Sequence, residues 1–186
     1  MLSQENKELC QMFADLLDYP EKELPGAARN CAIQLKNSFP NIAKPIQAFA
    51  EFVNTQSLET LEELYTQTFD TTPATSLYLG YHLFGETPKR SEFLIRLSDA
   101  YQAHALSSGV ELADHLGVML RFLSVSNDAE FTMPLIEECI LPTLEKTGKE
   151  LRKSNSQYAL VIEPLLDFLR RIDQSLVKAG GAPNAG

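Results

Sequence analysis

Glu111, Asp114 and His115 lie together in one short segment, Glu111-Leu112-Ala113-Asp114-His115-Leu116. Two carboxylates beside an imidazole can hold Arg or Lys side chains, or backbone N–H groups, by charge-assisted hydrogen bonds. The same residues also read as a helix start, with Asp114 as the cap and His115 in the first turn. A second group occupies Leu64 to Glu86, where a polar break, Asp70-Thr71-Thr72-Pro73, precedes an aromatic run of Tyr78, Tyr81, His82 and Phe84. Those rings suit core packing. Tyrosine also suits a surface where one end of the ring must stay wet. Together the two segments predict a peptide groove. Tyr78, Tyr81, Phe84, Leu112 and Leu116 supply apolar contact, and Asp70, Glu86, Glu111 and Asp114 supply a charged rim.

Catalytic signatures are sparse. The chain has no GxGxxG, no phosphate loop and no HExxH. His82, His104 and His115 do not stand at metal-ligand spacing from thiols or carboxylates. Cys10, Cys31 and Cys139 are odd in number and far apart, which favours buried free thiols and a reducing compartment over a disulfide framework. With 16 basic and 25 acidic residues the formal charge is −9 and no basic stripe exists, so nucleic acid is not an expected partner. The charge suits a basic ligand instead. No apolar run nears the ~20 residues of a membrane span, and the N-terminus lacks a secretory pattern.

The elements that must position these groups read as helices. Leu, Ala, Glu, Lys and Gln recur at helical spacing, and no long alternation marks a strand. Ser3 caps a first helix with Leu9, Met12, Phe13, Leu16 and Leu17 as its buried stripe. A second helix opens at Pro25 and stops at Pro40, a third starts near Pro45, and Ser57 caps a fourth that leads into Leu64–Glu86. Thr87-Pro88 opens another, broken at Ser107-Ser108-Gly109. Helix is then expected across Glu111–Leu123, with Asp114 able to cap it. Asn127 with Glu130 forms a capping box for a long helix that Pro142 should kink or split. A final helix carries Tyr158, Val161, Ile162, Leu165, Leu169 and Ile172. The prediction is all-α: one compact bundle of eight or nine helices over 1–177, with a flexible tail over 178–186.

These residues also resemble a family. Tyr65 to Asp70, continued by Thr75-Ser76-Leu77-Tyr78-Leu79, is similar to the Y-x-x-T-F-D … S-L-Y-L signature of NarJ-type assembly chaperones. Phe84-Gly85-Glu86 with Arg90 resembles the next block. Glu111 to Leu116, with Met119, Leu120, Phe122 and Leu123, resembles the E-L-P-D-H-L-P … L-E-F-L block. Ala113 and Gly117 replace the usual prolines, and Ser91 replaces a common glycine.

The resemblance, which extends to the related TorD and DmsD proteins, implies a cytoplasmic, all-helical, monomeric chaperone and not an enzyme. Its partner would be the apo catalytic subunit of a molybdoenzyme, a nitrate reductase-like one, held through its basic N-terminal peptide. Molybdenum cofactor would be handled indirectly, through that client, with none bound stably. Asp114 and His115 are the matching site positions, with Tyr78, Tyr81 and Phe84 behind them. Two other readings stay open: a small helical nucleotide-binding protein or enzyme using Asp114 and His115, and a permanent structural adaptor.

Overall fold

The computed structural model describes residues 1–180, with side chains described through Gln174. The helices are α1 (Gln4–Leu16), α2 (Leu24–Ser38), α3 (Pro40–Asn54), α4 (Leu58–Tyr65), α5 (Leu79–Phe84), α6 (Pro88–Ala103), α7 (Leu116–Val125), α8 (Ala129–Pro134), α9 (Leu141–Lys153) and α10 (Ala159–Gly180). A π turn at Leu135–Ile140 joins α8 to α9, so these two form one interrupted rod. The fold is an all-α bundle, with no strand longer than a single bridge among the described residues. Of the expected tail, Lys178 to Gly180 continue α10, and residues 181–186 lie outside the described residues.

Local chemistry starts several helices as expected. Ser3 Oγ accepts the Asn6 N–H at 3.2 Å, and Ser57 Oγ accepts the Thr60 N–H at 3.2 Å. Each cap satisfies one of the N–H groups that a helix start leaves without a partner. Pro25 lies in the first turn of α2. Four expectations are corrected. Pro40 ends α2 but also opens α3, which therefore begins ahead of Pro45. The chain from Glu111 to His115 is not helical; α7 starts at Leu116. Its N-cap is His115 and not Asp114, whose carboxylate pairs with Arg90. Asp128 and not Asn127 caps α8, because Asn127 Oδ1 instead accepts the Lys7 ammonium at 2.6 Å, across 120 positions of sequence.

The core gathers around α10. This helix packs on α3 and α9, α2 pairs with α3, and α1 sits between α2 and α7. Phe168 of α10 stacks on Phe13 of α1 at 5.5 Å and meets Phe39 edge-on at 5.4 Å. Tyr158 is held by Phe69 at 4.6 Å and Phe49 at 5.4 Å, in tilted or edge-on contacts that suit ring quadrupoles. Cys10 and Cys31 are fully buried, and burial pushes each thiol up to about 12; Cys139 is half-buried.

The break after α4 is a second π turn, Thr66–Asp70, and its threonines explain how it holds. Widening sends the Thr71 N–H to Thr66 O at 3.0 Å, which strips Gln67 O of its helical partner. Thr71 and Thr72 hydroxyls donate to that carbonyl at 3.1 and 2.9 Å. Pro73 has no N–H to offer Thr68 O, and the buried Thr75 hydroxyl donates there instead. Wide turns of this kind concentrate at functional sites.

Candidate functional site

The two segments singled out by their residue types lie side by side. The Leu79 N–H donates to Asp114 O at 2.9 Å, and the Leu116 N–H donates to Leu77 O at 2.8 Å. These bonds form one antiparallel bridge between Tyr78 and His115. Side chains reinforce it. The Tyr78 hydroxyl donates to Glu111 Oε2 at 2.5 Å, its ring meets His115 edge-on at 5.3 Å, and the Tyr101 hydroxyl donates to Ala113 O at 2.7 Å. Burial and the Glu111 hydrogen bond raise the Tyr78 phenol, so it stays protonated and keeps donating.

Asp114 has no exposed surface, and its Oδ2 accepts from Arg90 Nε at 2.9 Å. A Cβ on Gly80 would lie 2.5 Å from that oxygen, so only glycine lets α5 cross so closely over the ion pair. His115 is buried, and its Nδ1 accepts the Gly117 N–H at 3.2 Å. That bond requires a ring unprotonated at Nδ1. Burial lowers the His115 pKa; Glu111, Asp18 and Asp114 oppose the shift, while Arg121 adds to it. Leu116 is buried in the core. Asp114, His115 and Leu116 therefore build the wall behind the surface and do not form the surface itself.

The remaining candidates are outside or half outside. Leu112 is 50% exposed and Tyr81 36%. Phe84 is half-buried against Phe93, at 5.4 Å. Asp70 and Glu86 are exposed. Partial burial and the nearby Glu111 charge raise the Asp70 carboxyl, with His115 opposing.

Three clefts surround the threonine turn. One, of about 540 Å³, lies between that turn and the α9–α10 corner, with Gln67, Thr72, Glu150, Lys153 and Asn155 on its walls. A second, of about 440 Å³, is lined by Tyr19, Glu59, Glu62, Glu63, Gln67 and Thr71. A third is lined by Ala74, Tyr81, His82 and Glu86. Gln67 is common to the first two, and Ala74 to the first and third. The first two clefts were not among the residues expected from sequence. Their signal was present: in Leu-Glu-Thr-Leu-Glu-Glu-Leu-Tyr, Glu59, Glu62 and Glu63 recur at three- and four-residue spacing on the side of α4 away from Leu61 and Tyr65. Among the described residues no group of three or more His, Cys, Asp or Glu side chains is arranged to hold a metal ion. None of the described helices is long and apolar enough to cross a membrane.

Comparison with known proteins agrees with the signature blocks. The family model described as nitrate reductase delta subunit matches residues 37–158. The nitrate reductase molybdenum cofactor assembly chaperone NarJ of Escherichia coli K12 is 29% identical over 155 residues, as is that of Escherichia coli O157:H7. The match covers 81% of this chain and 65% of each relative, so the chain spans just under two thirds of their length. A crystal structure from Archaeoglobus fulgidus, described as a "putative redox enzyme maturation protein", superposes with a TM-score of 0.57 over 95% of this chain and 96% of that one. At 18% identity that likeness concerns the fold. The family model covers most of the chain, including the threonine turn, the bridge and the buried ion pair, and the chain belongs to the nitrate reductase delta subunit family.

Proposed function

We propose that this protein is a system-specific assembly chaperone. It binds the basic N-terminal peptide of the apo catalytic subunit of a molybdoenzyme, a nitrate reductase-like α subunit, in the cytoplasm. It holds that subunit while molybdenum cofactor is inserted and before membrane attachment or export, and retains no cofactor itself. The observation that carries this reading is the run of clefts around the threonine turn, set in the stretch that bears the family signature. Among the described residues its charged lining is Glu59, Glu62, Glu63 and Glu86, with Glu150 paired to Lys153 at 2.7 Å. Arg and Lys of an incoming peptide would meet these carboxylates. Peptide backbone would meet the amide and hydroxyl groups of Gln67, Thr72 and Asn155, and apolar side chains would lie on Tyr19 and Tyr81. Asp70, Glu86 and Leu112 extend the contact surface. Asp114, His115, Leu116 and the Tyr78–Glu111 pair hold the wall in place, and Phe84, on the same helix as Tyr81, anchors that helix on Phe93. The curated relatives carry the description of cofactor assembly chaperones, which is the same class of activity.

Calorimetry with a client N-terminal peptide tests the assignment. The Glu62→Lys, Glu63→Lys variant should bind at least about tenfold more weakly while melting as the wild type does, since these side chains are on the rim. Unchanged affinity would remove the clefts from the binding site. Addition of ATP or GTP should leave the melting temperature where it was; a rise would favour the nucleotide-binding alternative.

A further inference from the structure

A second furrow lies away from the threonine turn, along the outer seam of the α2–α3 hairpin. Its volume is about 530 Å³. Ala32 and Ala43 form the floor, and small side chains there let the seam sink. Ile33, 57% exposed, and Pro40 form apolar walls. The inward faces of both helices, with Cys31, Leu35, Ile46 and Phe49, are committed to the core, and among the described residues the outer side of the seam stays open at Ile33, Lys36, Pro40 and Lys44.

Its charge is opposite to that of the molecule. The chain carries a formal −9, yet among the described residues the only charged groups lining the furrow are Lys36 and Lys44. They stand on facing helices, both exposed, and neither is in an ion pair found among the described residues. Arg29, one turn before Ile33 on α2 and just outside the lining, adds a third cation, and among the described residues it hydrogen-bonds the neutral Asn54 at 3.3 Å. Long lysine stems can line an apolar trough while their ammonium groups stay at its edge. Three cations are too few for a nucleic-acid backbone. The acidic remainder of the surface disfavours an anionic bilayer. An apolar floor with a cation on each bank fits one shape well: a helix with apolar side chains on one face and Asp or Glu flanking them.

We infer that the α2–α3 furrow docks an acidic amphipathic helix of a partner protein. The occupant differs in charge from the basic peptide assigned to the threonine-turn clefts, so one chain offers two faces that select opposite partners. Lys36 and Lys44 set which charge is accepted, and Ile33 supplies the apolar anchor.

The probe is a fluorescein-labelled helix of Leu, Ala and Glu, about 18 residues or five turns long, with a Leu-Ala-Lys helix as its counterpart. Anisotropy should show saturable binding of the acidic helix to the full chain, weakened by added salt, and none of the basic helix at this face. Lys36→Glu with Lys44→Glu should weaken the acidic helix by at least about tenfold, and Ile33→Asp should do the same. All three positions are exposed, so the variants should melt as the wild type does. They should also bind the client N-terminal peptide unchanged, which separates failure here from failure of the chaperone reading. Three results would overturn the inference: no binding of the acidic helix, binding indifferent to these substitutions, or gel filtration showing that a second copy of the chain already covers this face.

Discussion

At the scale of single residues, the Asp114 carboxylate decides the character of the site. It is fully buried and answered by Arg90, so it shapes the surface only through the wall it holds. Arg90→Ala leaves a buried negative charge without its partner and should cost about 3 kcal/mol in urea unfolding. His115 behaves differently because it titrates. Its folded pKa is lowered, chiefly by burial, so above the ordinary imidazole range both folded and unfolded chains hold it neutral and its contribution is intact. As pH falls through about 6.5 the unfolded chain takes up a proton that the folded chain resists. Stability should therefore drop between neutral pH and the lowered folded value, and protonation also ends the bond from Gly117 N–H to Nδ1. His115→Asn keeps a good N-cap but cannot titrate. Urea midpoints measured from about pH 7.5 to 5.5 should fall less in that variant than in the wild type.

At the scale of elements, the threonine turn shows how a helix can be opened without leaving its carbonyls bare. Thr75→Val removes the hydroxyl that answers buried Thr68 O, and should cost about 1–2 kcal/mol. Hydrogen exchange should quicken over 66–76 while α1 and α10 keep their protection. The same scale shows what sequence could disclose. Ser3 and Ser57 caps, the stripe Leu9, Phe13, Leu16 and Leu17, and the break at Asp70–Pro73 were all legible, because each depends on neighbours within a turn or two. Asp114 and Asn127 misled for the opposite reason. Both have the chemistry of caps, but Arg90 and Lys7, distant in sequence, claim them. Pro142 was expected to kink or split its helix. A π turn takes up the irregularity, and the proline falls in the first turn of α9, where its missing N–H costs little. Of the site, the signature aromatics were legible as a group. Which of them face solvent was not, since that depends on how α5 crosses the 111–116 segment. The acidic side of α4 has the pattern of any solvated helix face, and Glu59, Glu62 and Glu63 stand out only once Tyr19 and Gln67 are seen beside them.

At the scale of the whole molecule, charge is unevenly placed: carboxylates crowd the clefts of the threonine turn, and two lysines with no ion pair among the described residues border the α2–α3 seam. The core joins these faces through α10, which packs on both α3 and α9. Three thiols are distributed through this body, Cys10 on α1, Cys31 on α2 and Cys139 in the π turn before α9. Burial holds the first two up to about 12 and Cys139 up to about 11, so none offers much thiolate at neutral pH. Alkylation of the native protein must then wait for the chain to open. Iodoacetamide should modify half-buried Cys139 first, and Cys10 and Cys31 later and together, as followed by intact-mass spectrometry. The thiols thus become two timers, Cys139 for the α8–α9 junction and the Cys10–Cys31 pair for the α1–α2 core, and the order of their modification reads out which part of the fold lets go first.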